Sequence, residues 1–279
     1  MKKYLFLLSL LSFGFSSYSQ QKISWHQPAF VEGVCVLDST NIFHRLPIEM
    51  KDKVRKPVWD LSQNTAGEFI HFKTAATAIK VLYTLASNSF SMPHMPSTGE
   101  SGLDLFAIDV NGNWNWSPGN YHFGDTCSYT FKNLFLAKNG TSVSDFYLYL
   151  PLYNSVTWLS IGVDEKDSFA FASKRNEQPI VAYGTSILQG GVTSRPGLAW
   201  TNILQRNIDR TVINLGFSGN GRYEAPIFDL MAKVDAKLYI LDCMPNLTDG
   251  ISAEEIKNRV IYGLNKLREK NKDVPILFT

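Results

Sequence analysis

A serine stands just beyond a short apolar run in the second half of the chain. The run Ile-Val-Ala-Tyr at 180–183 is followed at once by Gly184, Thr185 and Ser186. In open sheets built from alternating strands and helices, ligands bind outside the carboxyl ends of the strands. We therefore predict that Ser186 is a nucleophile displayed at such an edge. The alternative is that this serine only caps the next helix or closes a turn.

Two further apolar runs end in polar or glycine-rich turns. One stops at Gly216 and leads to Gly219, and the other, residues 238–241, leads to Asn246. Acyl transfer needs a nucleophile together with hydrogen-bond donors aimed at the developing oxyanion. The backbone N–H groups of Ser186 and Gly219 and the side-chain amide of Asn246 are predicted to supply these donors. Glycine suits this role because its backbone can approach a substrate closely.

The elements that must position these residues alternate between strand and helix from about residue 175 onward. Strands are predicted at 180–183, 211–215, 238–241 and 273–279, with helices at 196–209, 225–234 and from 253. Ser252 and Glu255 form a capping box that opens the last helix. Strands joined by helices predict a doubly wound α/β domain, residues 175–279, with a parallel sheet.

The printed sequence stops on the fourth of these strands, at Thr279. Parallel strands are normally covered on both faces, and long apolar edges are rarely left bare. We therefore expect the α/β domain to be incomplete at its C-terminal end, so that this is the front portion of a longer protein. The alternative is a natural end on an edge strand.

The first half, residues 20–174, shows short alternating runs separated by turn residues. Asn111-Gly112 is a strong hairpin signal between two such runs. The pattern predicts an all-β sandwich of the jelly-roll type, joined to the second domain by a polar linker at 173–179. Trp114, Trp116 and Tyr121 fit either a sugar-binding platform or cross-strand packing in the core.

Bulk properties narrow the classes of partner. The formal net charge of +2 over 279 residues gives no reason to expect nucleic acid or an acidic membrane surface. Lys2 and Lys3 precede an apolar stretch at 4–15 that is too short for stable membrane insertion. Residues 1–19 therefore read as a signal peptide, which predicts a secreted or periplasmic protein. The oligomeric state is not encoded in these patterns.

The chain has three cysteines, Cys35, Cys127 and Cys243. An exported chain can pair Cys35 with Cys127 and leave Cys243 free, but spacing alone does not establish that pairing. The odd count favours buried free thiols over a disulfide scaffold. No spacing resembles a zinc site, and the predicted chemistry requires neither a metal nor an organic cofactor.

The three strand-end blocks resemble those of the SGNH (GDSL-type) hydrolase family. Ser186 matches the serine of the first block, Gly219 the glycine of the second and Asn246 the asparagine of the third. Residues 102–106, Gly-Leu-Asp-Leu-Phe, resemble a signature of the β-domain that precedes a bacterial branch of this family. The resemblance covers most of the mature chain and implies a flavodoxin-like α/β fold.

Three departures from the family pattern stand out. The usual Gly-Asp-Ser is Gly-Thr-Ser here, and the usual Gly-x-Asn-Asp is Met-Pro-Asn-Leu. The fourth block, Asp-x-x-His after a fifth strand, is absent. All histidines of the sequence precede Ser186, at positions His26, His44, His71, His94 and His122. The missing block is expected beyond Thr279.

The resemblance implies a secreted serine esterase that acts on small esters or acylated carbohydrates, with acetyl groups on polysaccharides as the expected substrates. A rival interpretation is a carbohydrate-binding protein whose second domain is catalytically inactive. An α/β-hydrolase needs glycine where Leu188 stands, and no dinucleotide or phosphate loop is present. Asp242 is expected to cap a turn and His94 to lie in a solvated loop. Arg195 is also expected to lie in a solvated loop, and the alternative is contact with a carboxylate or a sugar.

Overall fold

The computed structural model describes residues 22–36, 41–132, 134, 143–247 and 250–279. The predicted signal peptide lies outside these ranges. Within them the strands are β1 (Ile23–His26), β2 (Phe69–Thr74), β3 (Ile79–Leu85), β4 (Asp104–Ile108), β5 (Trp114–Ser117), β6 (Gly119–His122), β7 (Cys127–Phe131), β8 (Ser144–Tyr149), β9 (Val156–Asp164), β10 (Phe169–Phe171), β11 (Ile180–Gly184), β12 (Val212–Gly216), β13 (Leu238–Asp242) and β14 (Ile276–Phe278). The helices are α1 (Lys56–Ser62), α2 (Ser97–Glu100), α3 (Ser186–Gln189), α4 (Trp200–Ile208), α5 (Ala225–Met231) and α6 (Ala253–Lys270).

The first part of the chain forms two five-stranded antiparallel sheets. Their strand orders are β1-β9-β3-β7-β6 and β10-β2-β8-β4-β5. In β3 the residues Ile79, Val81 and Tyr83 are buried, as the alternating pattern predicts. They share one hydrophobic cluster with Ile70 and Phe72 of β2, which belongs to the other sheet. Side chains from both sheets therefore meet in a single core.

The hairpin predicted at Asn111-Gly112 connects β4 and β5. Its turn closes through bonds from Asp109 N to Asn113 O at 3.0 Å and from Gly112 N to Asp109 O at 3.0 Å. Gly112 has φ +80°, which is the left-handed conformation that glycine adopts without steric cost. The sequence signal for this turn is confirmed.

The second part forms a parallel sheet in the order β12-β11-β13-β14. Strand β11 is buried throughout, and its side chains alternate between two clusters. Val181 and Tyr183 pack with Phe228 of α5 on one face, whereas Ile180 and Ala182 pack near Trp200 of α4 on the other. Helices thus cover both faces, and the predicted doubly wound parallel sheet is confirmed. β12 and β14 are the two edge strands of this sheet, and the expectation that residues follow β14 stays a prediction.

Two predicted helices are shorter than the sequence pattern indicates. The first begins as a 3₁₀ turn at Pro196–Leu198, and α4 starts only at Trp200 and ends before Asp209, which has φ +47°. The second helix ends at Met231. The N-cap half of the capping box is confirmed, because Ser252 Oγ accepts a bond from Glu255 N at 3.2 Å, whereas Glu255 Oε1 accepts a bond from Arg259 Nε at 2.7 Å.

The three cysteines are free thiols. Cys127 and Cys243 are buried and Cys35 is half-buried. Burial raises the pKa of Cys35 to about 12, so this thiol stays protonated at neutral pH. The possible pairing of Cys35 with Cys127 is therefore wrong for this structure, and the expectation of free thiols is confirmed.

Candidate functional site

The carboxyl ends of three strands lie side by side in the parallel sheet. The register places Gly184 of β11 opposite Gly216 of β12 on one side and opposite Asp242 of β13 on the other. Ser186, Gly219 and Asn246 follow these residues by two, three and four positions. The structure therefore brings all three sequence-predicted site residues to one edge of the sheet.

Ser186 is half-buried and is the first residue of α3. The residue at the cap position is Thr185, so the alternative in which Ser186 caps this helix is wrong. The Ser186 carbonyl accepts bonds from Gly190 N at 3.1 Å and Gly191 N at 2.7 Å, which close a tight turn. The N–H groups in the first turn of a helix have no partner within that helix. The Ser186 N–H is therefore not used by α3 itself.

Gly219 lies at the exposed corner of a turn, residues 217–220, that we call the oxyanion turn after the role predicted for Gly219. The turn closes through Asn220 N and Phe217 O at 2.8 Å, and Gly219 has φ +66°. Asn220 Nδ2 donates to the Ser218 carbonyl at 2.9 Å. In a trans peptide the N–H points away from the preceding carbonyl. The Gly219 N–H is thus directed away from the Asn220 side chain.

Asn246 ends a 3₁₀ turn, Met244–Asn246, directly after β13. Its Nδ2 donates to the Asn220 carbonyl at 2.5 Å and so ties the third strand end to the oxyanion turn. A side-chain amide carries two hydrogens on this nitrogen. One N–H is held by Asn220, and the second is not engaged in that bond.

Two residues that the sequence patterns did not single out, Tyr153 and Gln189, form hydrogen bonds with the loops that carry Ser186 and Gly219. The Tyr153 hydroxyl, from the loop after β8, donates to the Ser186 carbonyl at 3.2 Å. Gln189 is fully buried, and its Oε1 accepts the Ser218 N–H at 2.9 Å. Gln189 Nε2 also donates to the Leu152 carbonyl at 3.2 Å. The first part of the chain therefore contacts the turn after Ser186 directly and is linked to the oxyanion turn through Gln189.

The histidines lie among the N-terminal sheets and their loops. His26 stacks on Phe169 with ring centroids 4.1 Å apart, and His71 Nε2 lies 2.7 Å from Asp145 Oδ1. Burial lowers the pKa of His71, although the Asp145 carboxylate opposes that shift. His94 and His122 are exposed, as expected for a loop position in the case of His94.

A cavity of about 330 Å³ lies near the amino ends of the strands of the parallel sheet. Its lining includes Glu32, Arg175 and Thr211, and also Pro179 and Asp235, which precede β11 and β13. None of the three site residues lines it. Among the described ranges, no group of three or more His, Cys, Asp or Glu side chains is arranged to hold a metal ion.

Comparisons with known proteins match both parts of the chain. The model for the N-terminus of SGNH-type esterases matches residues 22–169, and the GDSL-like lipase/acylhydrolase family model matches residues 177–279. A protein described as a GDSL-like lipase from Bacteroides ovatus ATCC 8483 is 31% identical. That match covers 92% of this chain and 74% of the other, with a TM-score of 0.79. The chain belongs to the SGNH (GDSL-like) hydrolase family.

More distant structures share the fold of this family. A salicylyl-acyltransferase from a tetracycline biosynthetic pathway is 15% identical, with a TM-score of 0.66 and coverage of 93% of this chain and 70% of the other. A family two carbohydrate esterase from Cellvibrio japonicus is 12% identical, with a TM-score of 0.52 and coverage of 76% and 69%. No curated protein matches significantly. In the described ranges, no helix combines the length and apolar character needed to cross a membrane.

Residues 102–106 carry the signature of the N-terminal part of SGNH-type esterases. They connect the N-terminal part of this chain to the loop that follows Ser186. Asp104 is 2% exposed and accepts bonds from Trp116 Nε1 at 2.6 Å and from Gly197 N at 3.0 Å. Arg195 Nη1 lies 3.3 Å from Asp104 Oδ1, and its guanidinium stands 3.9 Å above the Trp116 ring. The expectation that Arg195 is a solvated loop residue is therefore wrong. Its carboxylate partner, Asp104, lies 91 residues earlier in the chain.

Replacement of Asp104 by alanine is expected to lower the free energy of unfolding by about 3 kcal/mol, because it leaves buried donors and the Arg195 charge without a partner. The matched control is Asp60→Ala, which removes an exposed ion pair with Lys56 and is expected to cost less than about 0.5 kcal/mol. Urea unfolding of both variants measures the difference. Equal stability losses in the two variants would contradict the assigned role of Asp104.

Glu224 follows the oxyanion turn and joins it to the sheet. Its carboxylate accepts bonds from Arg55, from the Tyr183 hydroxyl and, at 2.7 Å, from Arg222 N. Burial by itself raises the pKa of this carboxyl, but these bonds outweigh it and hold the pKa below the ordinary value of 4.5. A lowered carboxyl pKa stabilises the folded state above the unfolded pKa.

The stability advantage of the natural protein over a Glu224→Gln variant is therefore expected to be complete at neutral pH. It should be lost as the pH falls below about 4.5 and through the folded pKa. Urea unfolding of both proteins between pH 7 and pH 3 tests this. A difference that grows on acidification has the wrong sign and would rule out this linkage.

Proposed function

We propose that this protein is a serine esterase whose nucleophile is Ser186. The observation that carries the proposal is the register of β11, β12 and β13, which sets Ser186, Gly219 and Asn246 at one sheet edge in a member of the SGNH family. In this proposal Ser186 Oγ attacks the ester carbonyl while a base takes its proton. The N–H groups of Ser186 and Gly219 and the Asn246 amide stabilise the oxyanion.

The tetrahedral intermediate then expels the alcohol, which takes the proton from the base. Water, deprotonated by the same base, attacks the acyl-enzyme and releases the free acid, and the proton returns to Ser186 Oγ. The three donors are neutral, and they favour the transition state because negative charge grows on the oxygen they face. The base is a separate requirement. All histidines of the sequence precede Ser186, and the Asp-x-x-His block of the family pattern stays a prediction.

For the substrate we propose a small ester or an acylated carbohydrate, with acetyl as the acyl group. Support comes from the fold shared with a family two carbohydrate esterase and from the exposed rings of Trp116 and Tyr121. Hydrolysis rates on acetylated sugars against esters of longer acids test this preference. Faster turnover of the longer esters would overturn it.

The domain organisation in this proposal is a signal peptide at 1–19, a β-sandwich at 20–174 and the α/β hydrolase domain at 175–279. The core shared by the two antiparallel sheets supports the sandwich. Lys2, Lys3 and the apolar stretch at 4–15 support export to the periplasm or the medium. Cell fractionation with N-terminal sequencing of the mature protein tests the export step.

Labelling with a fluorophosphonate probe tests the nucleophile. The natural protein is expected to gain one probe mass, and peptide mapping should locate it on Ser186. A Ser186→Ala variant should stay unlabelled, whereas Ser194→Ala, at an exposed serine of the following loop, should label normally. Robust labelling of the Ser186→Ala variant would overturn the proposal.

A second candidate is a carbohydrate-binding protein with an inactive hydrolase domain. The observation that favours it is the exposure of the Trp116 and Tyr121 side chains, 41% and 51%, in the N-terminal part. Aromatic rings of this kind stack on the apolar faces of sugars. Retention on a polysaccharide without probe labelling or ester turnover is the result that would favour this candidate.

A further inference from the structure

Arg45 is a fully buried cation whose partners are main-chain carbonyls. Its Nε donates to Asn64 O at 2.8 Å and its Nη2 to Leu61 O at 2.6 Å. Its Nη1 donates to Asn214 O at 3.2 Å and to Gly216 O at 2.6 Å. Two partners belong to the N-terminal part and two to the end of β12. The guanidinium therefore bridges the two parts of the chain.

The bond to Gly216 reaches the base of the oxyanion turn. Gly216 is the last residue of β12, and the Arg45 guanidinium stands 5.0 Å from the centroid of the next ring, Phe217. In the peptide between Gly216 and Phe217, the carbonyl accepts a bond from Arg45 Nη1, and the N–H donates to the Gly184 carbonyl at 3.0 Å. One rigid peptide plane thus connects Arg45 to the strand end two residues before Ser186.

Among the described residues, no carboxylate forms an ion pair with Arg45. Glu68 is also fully buried, and no described atom forms a hydrogen bond with either of its carboxylate oxygens. Burial lowers the pKa of Arg45 to about 10, so the guanidinium stays charged at neutral pH. Burial also raises the pKa of Glu68 well above its ordinary value, and the Arg45 charge only partly opposes that shift.

Such a cation is a costly way to fill a core, because an apolar side chain of similar volume often gives equal or greater stability. What an apolar side chain cannot do is hold several carbonyls in a fixed geometry. The planar guanidinium provides five N–H donors in a rigid fork. The carbonyls it holds include the last one of the strand that leads into Gly219.

From these contacts we infer that Arg45 is a positioning residue for the oxyanion turn, which it holds in register with Ser186. This inference rests on the proposed function, since it assigns Arg45 to the stabilisation of the same oxyanion. Arg45 acts through Gly216 and Phe217 and does not touch the substrate. The N-terminal part of the chain is therefore a component of the esterase site.

The test uses full-length protein with Arg45→Met, Arg45→Lys and the double variant Arg45→Met/Glu68→Gln. The matched control is Arg268→Met, because Arg268 Nη1 also donates to main-chain carbonyls, at Asn271, Lys272 and Val274. Turnover of p-nitrophenyl acetate gives kcat and KM. Inhibition by phenylboronic acid, which forms a tetrahedral adduct with serine, reports on oxyanion stabilisation. Thermal unfolding reports on stability.

Loss of Arg45 is expected to lower kcat by about 10²-fold, the size of effect seen when one oxyanion donor is lost. Phenylboronic acid should bind correspondingly more weakly, while KM changes by less than about threefold. The double variant should regain thermal stability without regaining kcat, because glutamine at position 68 cannot ionise and so no charge can be left buried when Arg45 is removed. Arg268→Met should lose stability and keep its kcat.

Arg45→Lys keeps the positive charge but lacks the planar set of N–H donors. It replaces Arg45→Met in the test if that variant does not fold. In this variant the Phe217 amide, held on Gly184, should exchange with deuterium faster while amides of α6 are unchanged. Recovery of kcat together with stability in the double variant would overturn the inference, as would unchanged Phe217 exchange. An inactive Ser186→Ala variant together with a fully active Arg45→Met variant would overturn the role of Arg45 and leave the proposed function standing. Normal turnover by Ser186→Ala overturns the proposed function and this inference with it.

Discussion

Replacement of Ser186 by alanine is expected to lower ester turnover by about 10⁴-fold or more, because the loss of a nucleophile removes the covalent route altogether. The residual rate would come from binding and from the oxyanion donors, which the substitution leaves in place. Substrate affinity should change little, since the Tyr153 and Gly191 contacts to this turn use the Ser186 carbonyl and not its side chain.

Steady-state kinetics on p-nitrophenyl acetate with full-length protein measure this effect. Ser194→Ala serves as the control for removing a hydroxyl from the loop just after the site, and it should keep full activity. Circular dichroism and thermal unfolding of Ser186→Ala should match the natural protein, because Ser186 is half-buried and α3 keeps its backbone bonds. A Ser186→Ala variant with more than about a tenth of the natural rate would show that another group is the nucleophile.

The strand ends of the candidate site were predictable because each carries a local signal. Buried parallel strands appear as short apolar runs, and each run here stops at a residue that breaks the pattern, Gly184, Gly216 or Asp242. Helical crossovers make consecutive strands parallel, and parallel strands have their carboxyl ends on the same side of the sheet. The positions of Ser186 and Gly219 follow from chain order alone.

The residues that support the site from behind carry no such signal. Tyr153 precedes Ser186 by 33 residues, and Arg45 precedes Gly216 by 171. No periodic pattern links positions so far apart, and a lone arginine in a loop is usually solvated. The same reason explains the error at Arg195, whose carboxylate partner, Asp104, belongs to a different sheet.

Helix ends were less predictable than strand ends. The apolar spacing from Pro196 onward fits one continuous helix, but Ala199 has ψ +134° and interrupts it before Trp200. Interaction with the first part of the chain dictates this break, because Gly197 N is held by Asp104 and a Cβ at Gly197 would lie 2.3 Å from the Phe106 ring. Tertiary contacts here override local helix propensity.

Two glycines of the same loop are expected to respond very differently to alanine. Gly219 and Gly221 have φ +66° and +73°, so a side chain at either position is strained by about 1 kcal/mol or somewhat more. A Cβ at Gly219 meets no described atom within 4 Å, whereas a Cβ at Gly221 would lie 2.1 Å from the Gly184 carbonyl oxygen. Only the second substitution forces two backbone segments apart.

Gly221→Ala is therefore expected to lower the free energy of unfolding by about 4 kcal/mol, of which the clash contributes the larger share. Gly219→Ala should cost about 1 kcal/mol, which is the strain alone. Urea unfolding of both variants separates clash from strain, because the backbone conformation is matched. Gly184 also accepts the Phe217 N–H and leads directly to Ser186, so displacing it should reduce probe labelling of Ser186 in Gly221→Ala. Equal stability of the two variants would show that the oxyanion turn does not pack on β11 in this way.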